Sequence, residues 1–337
     1  MCRRGADGTR SVPTTLKNER SGGLLRAGRP RAAECAYYFE ERTLSPGGTA
    51  GTWRTRRPRS PPRTRPQVAR GSPDSPAARP GSTPPPAGPV ALRALHGALG
   101  IERAVLVQPS VYRTDNRCLL DGLRKLGKGR ARGIAVVDLA AVTEAELWAL
   151  HDAGVRGLRL NLHVSGDGLA DARQQIALAQ RLHALPGWSL QAHAGIDVLA
   201  SLLDDFLKLE IPIALDHYAG ASAPERNTEA ALVTVLQAMR NAPVYVKLSA
   251  PYRLPASAPI AELARRFHDA APTRIVWGSD WPHTGGAGGQ GRSPEAIEPF
   301  REVDNAAVLQ SLLAALPDAA ARHRLLVSNP AALYGFD

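Results

Sequence analysis

From Val90 onward the hydrophobic positions follow two alternating periods. The run ALRALHGALG repeats apolar residues at helical spacing and stops at Gly100. After it come short β-branched or apolar runs: Ala104–Gln108, Gly133–Asp138, Val155–Asn161, Trp188–His193, Pro212–His217, Val244–Ser249 and Arg274–Asp280. Polar stretches with helical spacing separate them, predicting helices over 116–127, 143–153, 170–185, 196–209, 227–240 and 258–270, with further helices after 303. Strands apolar on both faces that alternate with helices predict parallel βαβ units. A stretch of about 250 residues of this kind is the usual length of a (β/α)8 TIM barrel.

Polar residues in these strands gather at the carboxyl ends: Gln108-Pro-Ser110, Arg159, Asn161, His193, Asp216-His217, Lys247, Ser249 and Asp280. A barrel keeps its chemistry at that rim. A doubly wound open sheet also binds ligands at strand carboxyl ends, but at one switch point and usually with a glycine-rich phosphate loop. No GxGxxG directly follows a predicted strand: GGAGGQG at 285–291 comes only after the WPH turn, precedes no immediate helix, and reads as a flexible active-site loop.

Charge divides the chain. The net +11 of the 337 residues falls within residues 1–90, which hold 17 of the 42 Lys+Arg and 6 of the 31 Asp+Glu, and 14 of the 28 prolines. With few large aliphatic residues, this segment cannot bury enough apolar surface to offset chain entropy, so 1–83 is expected to be disordered and 84–337 to form the barrel. Nucleic-acid or anion binding through the arginines is the alternative function; the neutral remainder and the lack of interleaved aromatic residues argue against it. Cys2, Cys35 and Cys118 have no metal-ligand or disulfide spacing, which fits a reducing compartment. No apolar run reaches the length of a membrane span or a secretory signal, so the expectation is a cytoplasmic protein, with an organelle transit segment as the weaker reading.

Five segments occur in one order: VRGLRLN (155–161), LDHYAG (215–220), VKLSAPYR (246–253), GSDWPH (278–283) and NPAALYGF (329–336). Together they resemble the amidohydrolase superfamily, and within it the 2-pyrone-4,6-dicarboxylate lactonase branch, over about Pro84 to Asp337. The resemblance implies a (β/α)8 barrel that opens a lactone, or a related cyclic ester or amide, of a carboxylated small molecule with an activated water. It implies that Asp280 is the general base and that His217 polarises the carbonyl, and it places His193, a further catalytic candidate, where metal-dependent members of the superfamily keep a ligand. Without that resemblance, Asp280 could instead cap the following turn, and His217 could be a core histidine. Arg159 and Arg253 match carboxylate-binding positions, with structural salt bridges as their alternative. His283, Ser110, Lys247, Ser249 and Tyr252 are the remaining expected substrate contacts. A further arginine of the branch is missing from LHVSGDG (162–168), which weighs against a dicarboxylated pyrone and leaves a monocarboxylated or sugar lactone open.

The resemblance also exposes a gap. The seven predicted strands match the second to eighth of the barrel, and the HxH pair of its first strand has no counterpart, since none of the nine histidines lies in residues 1–90. Strand 1 is therefore expected to be missing or replaced, Ala36–Phe39 being the one stretch that could stand in. The Arg/Pro/Gly/Ser composition is that of a GC-rich coding region read in a wrong frame or from a wrong start. A zinc ion would want three protein ligands, which His193, His217 and Asp280 could supply. No metal is the favoured expectation, because the superfamily's metal sites lean on the strand-1 pair. Without strand 1, the barrel would be left with open edges and catalytic impairment.

Overall fold

The computed structural model describes residues 38–40, 85–162, 168–221, 226–285 and 297–336. The segment 1–83 called disordered, apart from 38–40, and most of the 285–291 loop lie outside the described residues. Seven parallel strands follow one another in chain order: β2 (Ala104–Val107), β3 (Ala131–Ala135), β4 (Val155–Asn161), β5 (Ser189–His193), β6 (Ile213–Leu215), β7 (Val244–Ser249) and β8 (Ile275–Gly278). Each joins the next through helical crossovers, which include α2 (Arg117–Leu126), α3 (Glu144–Asp152), α4 (Gly168–Leu178), α7 (Arg226–Asn241) and α8 (Ile260–Ala270). The curled parallel sheet with helices outside is the TIM-barrel architecture expected from the sequence.

The place of the first barrel strand is taken by β1 (Tyr38–Glu40), three residues that pair antiparallel with β2, Tyr38 opposite Val107 and Glu40 opposite Val105. Some of its Cα atoms also come within 8 Å of β8. It covers the edge of β2 that the sequence left open. Its direction is opposite to that of a barrel strand and it contains no histidine, so it does not supply the HxH-bearing strand.

The pleat of the strands sorts their side chains into two layers. Ala104 and Leu106 of β2, Leu158 and Leu160 of β4, Leu190 and Ala192 of β5, and Ile213 and Leu215 of β6 pack outward with the helices in the main core. The alternate positions Val105, Val107, Ile134, Ala214 and Val276 form a second cluster with Leu333, Tyr334 and Phe336 from α11 (Asn329–Tyr334) and the residues after it. Asn329 anchors that helix by donating to the carbonyls of Ile275 (2.7 Å) and Pro272 (3.0 Å) at the start of β8. Further along the same inner rows the residues turn polar: Ala214 is followed by Asp216, Tyr245 by Lys247 and Ser249, and Gln191 by His193. The period of two therefore delivers the chemistry to the carboxyl end.

Close approach fixes two glycines. A Cβ at Gly157 would lie 2.4 Å from the Ser189 carbonyl oxygen, where β4 presses on β5. At Gly220, with φ +64°, it would lie 2.3 Å from the Ala194 carbonyl oxygen. Gly220→Ala is accordingly expected to lose more than about 1 kcal/mol in chemical denaturation, combining a left-handed backbone with a clash against the main chain.

Candidate functional site

The turns after β6, β7 and β8 hold their backbones in the left-handed region. His217, Tyr218 and Ala219 have φ of 51°, 56° and 53°, and Ala250, Asp280 and His283 have 47°, 55° and 67°. For residues with a Cβ this costs roughly 1–2 kcal/mol each, and such residues concentrate at functional sites. The Trp281–Pro282 peptide between Asp280 and His283 is cis.

Asp280 is only 2% exposed. Its Oδ2 accepts from the Tyr252 hydroxyl and from Arg253 Nε, both at 2.7 Å. Its Oδ1 faces His217 Nε2 at 4.0 Å. Burial alone would raise the carboxyl pKa, but His217 in its protonated form, the charge of Arg253 and the two hydrogen bonds outweigh it and hold the group below the ordinary carboxylate value. The Tyr252 oxygen also lies 2.9 Å from His283 Nδ1, and His283 Nε2 lies 3.0 Å from Asn305 Nδ2. His283 is buried, and desolvation takes its pKa down to about 4.

His217 is buried too, with Nδ1 2.9 Å from the Ser249 hydroxyl. Desolvation lowers its pKa against the opposing pull of Asp280 and Asp216, which leaves a neutral imidazole near pH 7. The His193 ring stands nearly perpendicular to it, centroids 5.0 Å apart. Arg159 Nη2 lies 3.2 Å from His193 Nδ1. A guanidinium only donates, so His193 Nδ1 accepts, and the proton of its neutral ring is on Nε2.

Beneath the histidines lies a buried ionic network. Arg159 Nε donates to Asp216 Oδ2 at 3.2 Å, Gln191 Nε2 donates to the same oxygen at 3.1 Å, and Lys247 Nζ is 3.0 Å from Oδ1. Burial pushes the Lys247 ammonium well down, opposed by the Asp280 carboxylate. Arg159, Lys247 and Ser249, expected to face substrate, are buried at 6%, 0% and 1% exposure and serve Asp216 and His217. Arg159 makes the salt bridge that was its alternative reading. Arg253 is a quarter exposed and also donates to the Thr284 carbonyl at 3.3 Å. Ser110 stands apart at the rim, where its oxygen accepts from Asn161 Nδ2 at 3.1 Å.

Three residues with no assigned role join the site. Asp216 organises the network under the histidines, and Asn305 contacts His283. Arg301 donates to the Gly285 carbonyl at 2.6 Å and lies 5.7 Å from the Tyr252 ring centroid, with its Nε buried and unpartnered. A carboxylate at the end of a strand's inner row was the available signal for Asp216. Nothing in the sequence singled out the other two.

Among the described residues, His193, Asp216 and His217 place one ligand atom each within 4.8 Å of one another. They fit a cation poorly. Both Asp216 oxygens already face Lys247 or Arg159, whose positive charges would stand beside the ion, and the HxH pair is absent. The expected set with Asp280 in place of Asp216 does not come together at this spacing among the described residues.

The family model for amidohydrolases matches residues 60–336. A 2-pyrone-4,6-dicarboxylate hydrolase of Comamonas testosteroni is 30% identical over 265 residues, covering 75% of this chain and 82% of its own. D-galactarolactone isomerase of Agrobacterium fabrum is 28% identical over 259 residues, covering 76% and 82%. A solved structure titled a putative 2-pyrone-4,6-dicarboxylic acid hydrolase, from Pseudomonas putida, superposes with a TM-score of 0.65 at 28% identity over 77% of this chain and 91% of that one. No helix among the described residues is long and apolar enough to cross a membrane. The acid at the end of β8, the histidines ending β5 and following β6, and the match along most of the chain lead to one assignment: the protein is an enzyme of the amidohydrolase family.

Proposed function

We propose that the enzyme opens the ring of a carboxylated lactone with water activated by Asp280. The observation that carries this reading is the division of labour on that carboxylate: Oδ2 is held by Tyr252 and Arg253, while Oδ1 faces His217 Nε2 across 4.0 Å. That separation leaves Oδ1 facing the space where a water can bind to it while His217 Nε2 meets the carbonyl. Asp280 Oδ1 takes a proton from the water as its oxygen adds to the lactone carbonyl carbon. The Nε2–H groups of His193 and His217 meet the charge developing on the carbonyl oxygen. The ring C–O bond then breaks, and Asp280 returns the proton to the departing ring oxygen. These steps use side chains alone, and no metal is invoked because the His193–Asp216–His217 group fits one poorly.

Arg253 is the handle for the substrate carboxylate, with Arg301 beside the same Tyr252 ring; their guanidinium carbons lie 5.8 and 5.7 Å from its centroid. Arg253→Ala should impair Asp280 with any substrate, but should raise KM a further 10- to 100-fold on a carboxylated lactone relative to an uncharged one, the range for a charged hydrogen bond. Equal losses on both would assign Arg253 to Asp280 alone.

The pH dependence follows from the same groups. The base works ionised, so kcat/KM should fall as pH drops through the Asp280 pKa, which lies below the ordinary 3.8. With His217 lowered and His283 near 4, neither gives an inflection at the ordinary imidazole value of 6.5. A limb centred there with no loss in the acid range would mean that a histidine and not Asp280 is the base. The reading as a whole is tested by offering the full chain a panel of monocarboxylated lactones, sugar-acid lactones among them, and following acid release with a pH indicator. Ring opening of at least one is expected; hydrolysis of uncharged lactones alone would contradict the carboxylate specificity.

A further inference from the structure

Asn305 opens α9 (Asn305–Ala315), a helix already capped by Asp304, whose carboxylate accepts from the Ala307 amide at 3.0 Å. The Asn305 side chain does something else. Its Nδ2 lies 3.0 Å from His283 Nε2 and 3.4 Å from the Val303 carbonyl oxygen. The carbonyl can only accept, which sets the amide nitrogen on this side, and an amide nitrogen can only donate. His283 Nε2 must then offer its lone pair. Desolvation keeps this imidazole neutral near pH 7, so its one proton is on Nδ1, 2.9 Å from the Tyr252 oxygen. Tyr252 accepts there, and its own proton is directed at Asp280 Oδ2, 2.7 Å away. These contacts give the chain Asn305, His283, Tyr252, Asp280 one donor-to-acceptor direction.

We propose that Asn305 is a positioning residue for the reaction: by donating to His283 Nε2 it selects the Nδ1–H tautomer that turns the Tyr252 hydroxyl onto Asp280 Oδ2 and leaves proton abstraction to Oδ1. This rests on the reading of Asp280 as the base. Without the Asn305 donor, His283 is free to protonate at Nε2. Its Nδ1 then becomes an acceptor that competes with Asp280 for the one Tyr252 proton.

The test has two arms. Nitrogen-15 NMR of the histidine-labelled full chain, with His283 assigned through His283→Gln, reads the tautomer directly. Protonation at Nδ1 in the wild type, moving towards Nε2 in Asn305→Leu, is expected. Protonation at Nε2 in the wild type overturns the proposal without need of any Asn305 variant, and so holds even if Asn305→Leu fails to fold. In the kinetic arm, Asn305→Leu should lower kcat roughly 10- to 100-fold, as for a lost hydrogen bond to a charged group, with KM within about threefold. The double variant Asn305→Leu/Tyr252→Phe should be no slower than Tyr252→Phe alone, because Asn305 acts through that hydroxyl. Additive losses would make Asn305 a structural residue and overturn the proposal. Failure of the base reading shows separately, as an Asp280→Asn enzyme with undiminished turnover.

Discussion

Replacing Asp280 by Asn is expected to remove nearly all lactone turnover while leaving the fold intact. The amide is close to isosteric and keeps one oxygen for the Tyr252 and Arg253 donors, but it cannot take a proton from water. A positioned general base contributes about 10²–10⁴-fold. The loss should fall at the upper end of that range, because Oδ2 is so tightly held that no other orientation of the carboxylate competes. The loss should lie mainly in kcat, since the amide oxygen still accepts from Arg253, the proposed carboxylate handle, and the imidazole donors are unchanged. Circular dichroism and melting close to the wild type would show that the defect is chemical. Activity within tenfold of the wild type would place the base elsewhere.

Asp216→Ala should give the largest stability loss. It removes the carboxylate between Arg159 and Lys247, which are buried at 6% and 0% exposure, and strands a guanidinium out of reach of water. Breaking a buried ion pair from one side costs about 3–5 kcal/mol, or roughly 6–20 °C in Tm for a domain of this size. Activity should fall as well, because Arg159 also holds His193. The half-exposed Glu229, paired with Arg266 on the outer surface, is the control: Glu229→Gln should stay within about 1 kcal/mol. A melt of Asp216→Ala within about 2 °C of the wild type would mean that the network relaxes or hydrates, and that the inner polar layer is not a structural unit.

Much of this was legible in the chain because period and punctuation agreed. Val155–Asn161 and Val244–Ser249 form strands over the residues anticipated. The Pro212–His217 run is shorter in the structure, Ile213–Leu215, because its last residues leave the sheet for the left-handed turn that places His217. The helix anticipated over 196–209 is two, Ile196–Ser201 and Leu203–Leu207, separated where the Leu202 amide bonds back to Leu199 in a tightened turn. Sequence also put Arg159, Asp216 and Lys247 at the right rim. It could not say which would pair, since that depends on how the barrel's curvature brings the inner rows of β4, β6 and β7 together. The engagement of Arg159, expected as a substrate handle, by Asp216 was therefore not legible in the chain. Asn305 was invisible for another reason: a polar residue in a helix's first turn is ordinary, and only the packing of α9 against the WPH turn gives it a partner.

The most direct test is isotopic. The full chain is given a carboxylated lactone in water enriched in oxygen-18, and the product is weighed by mass spectrometry. Hydrolysis through the Asp280-activated water predicts one heavy oxygen in each ring-opened product molecule, and Asp280→Asn predicts almost no such product. Because one relative is a lactone isomerase, the contrary result is well defined. Substrate consumed without uptake of label, giving a rearranged lactone, would contradict the hydrolytic account.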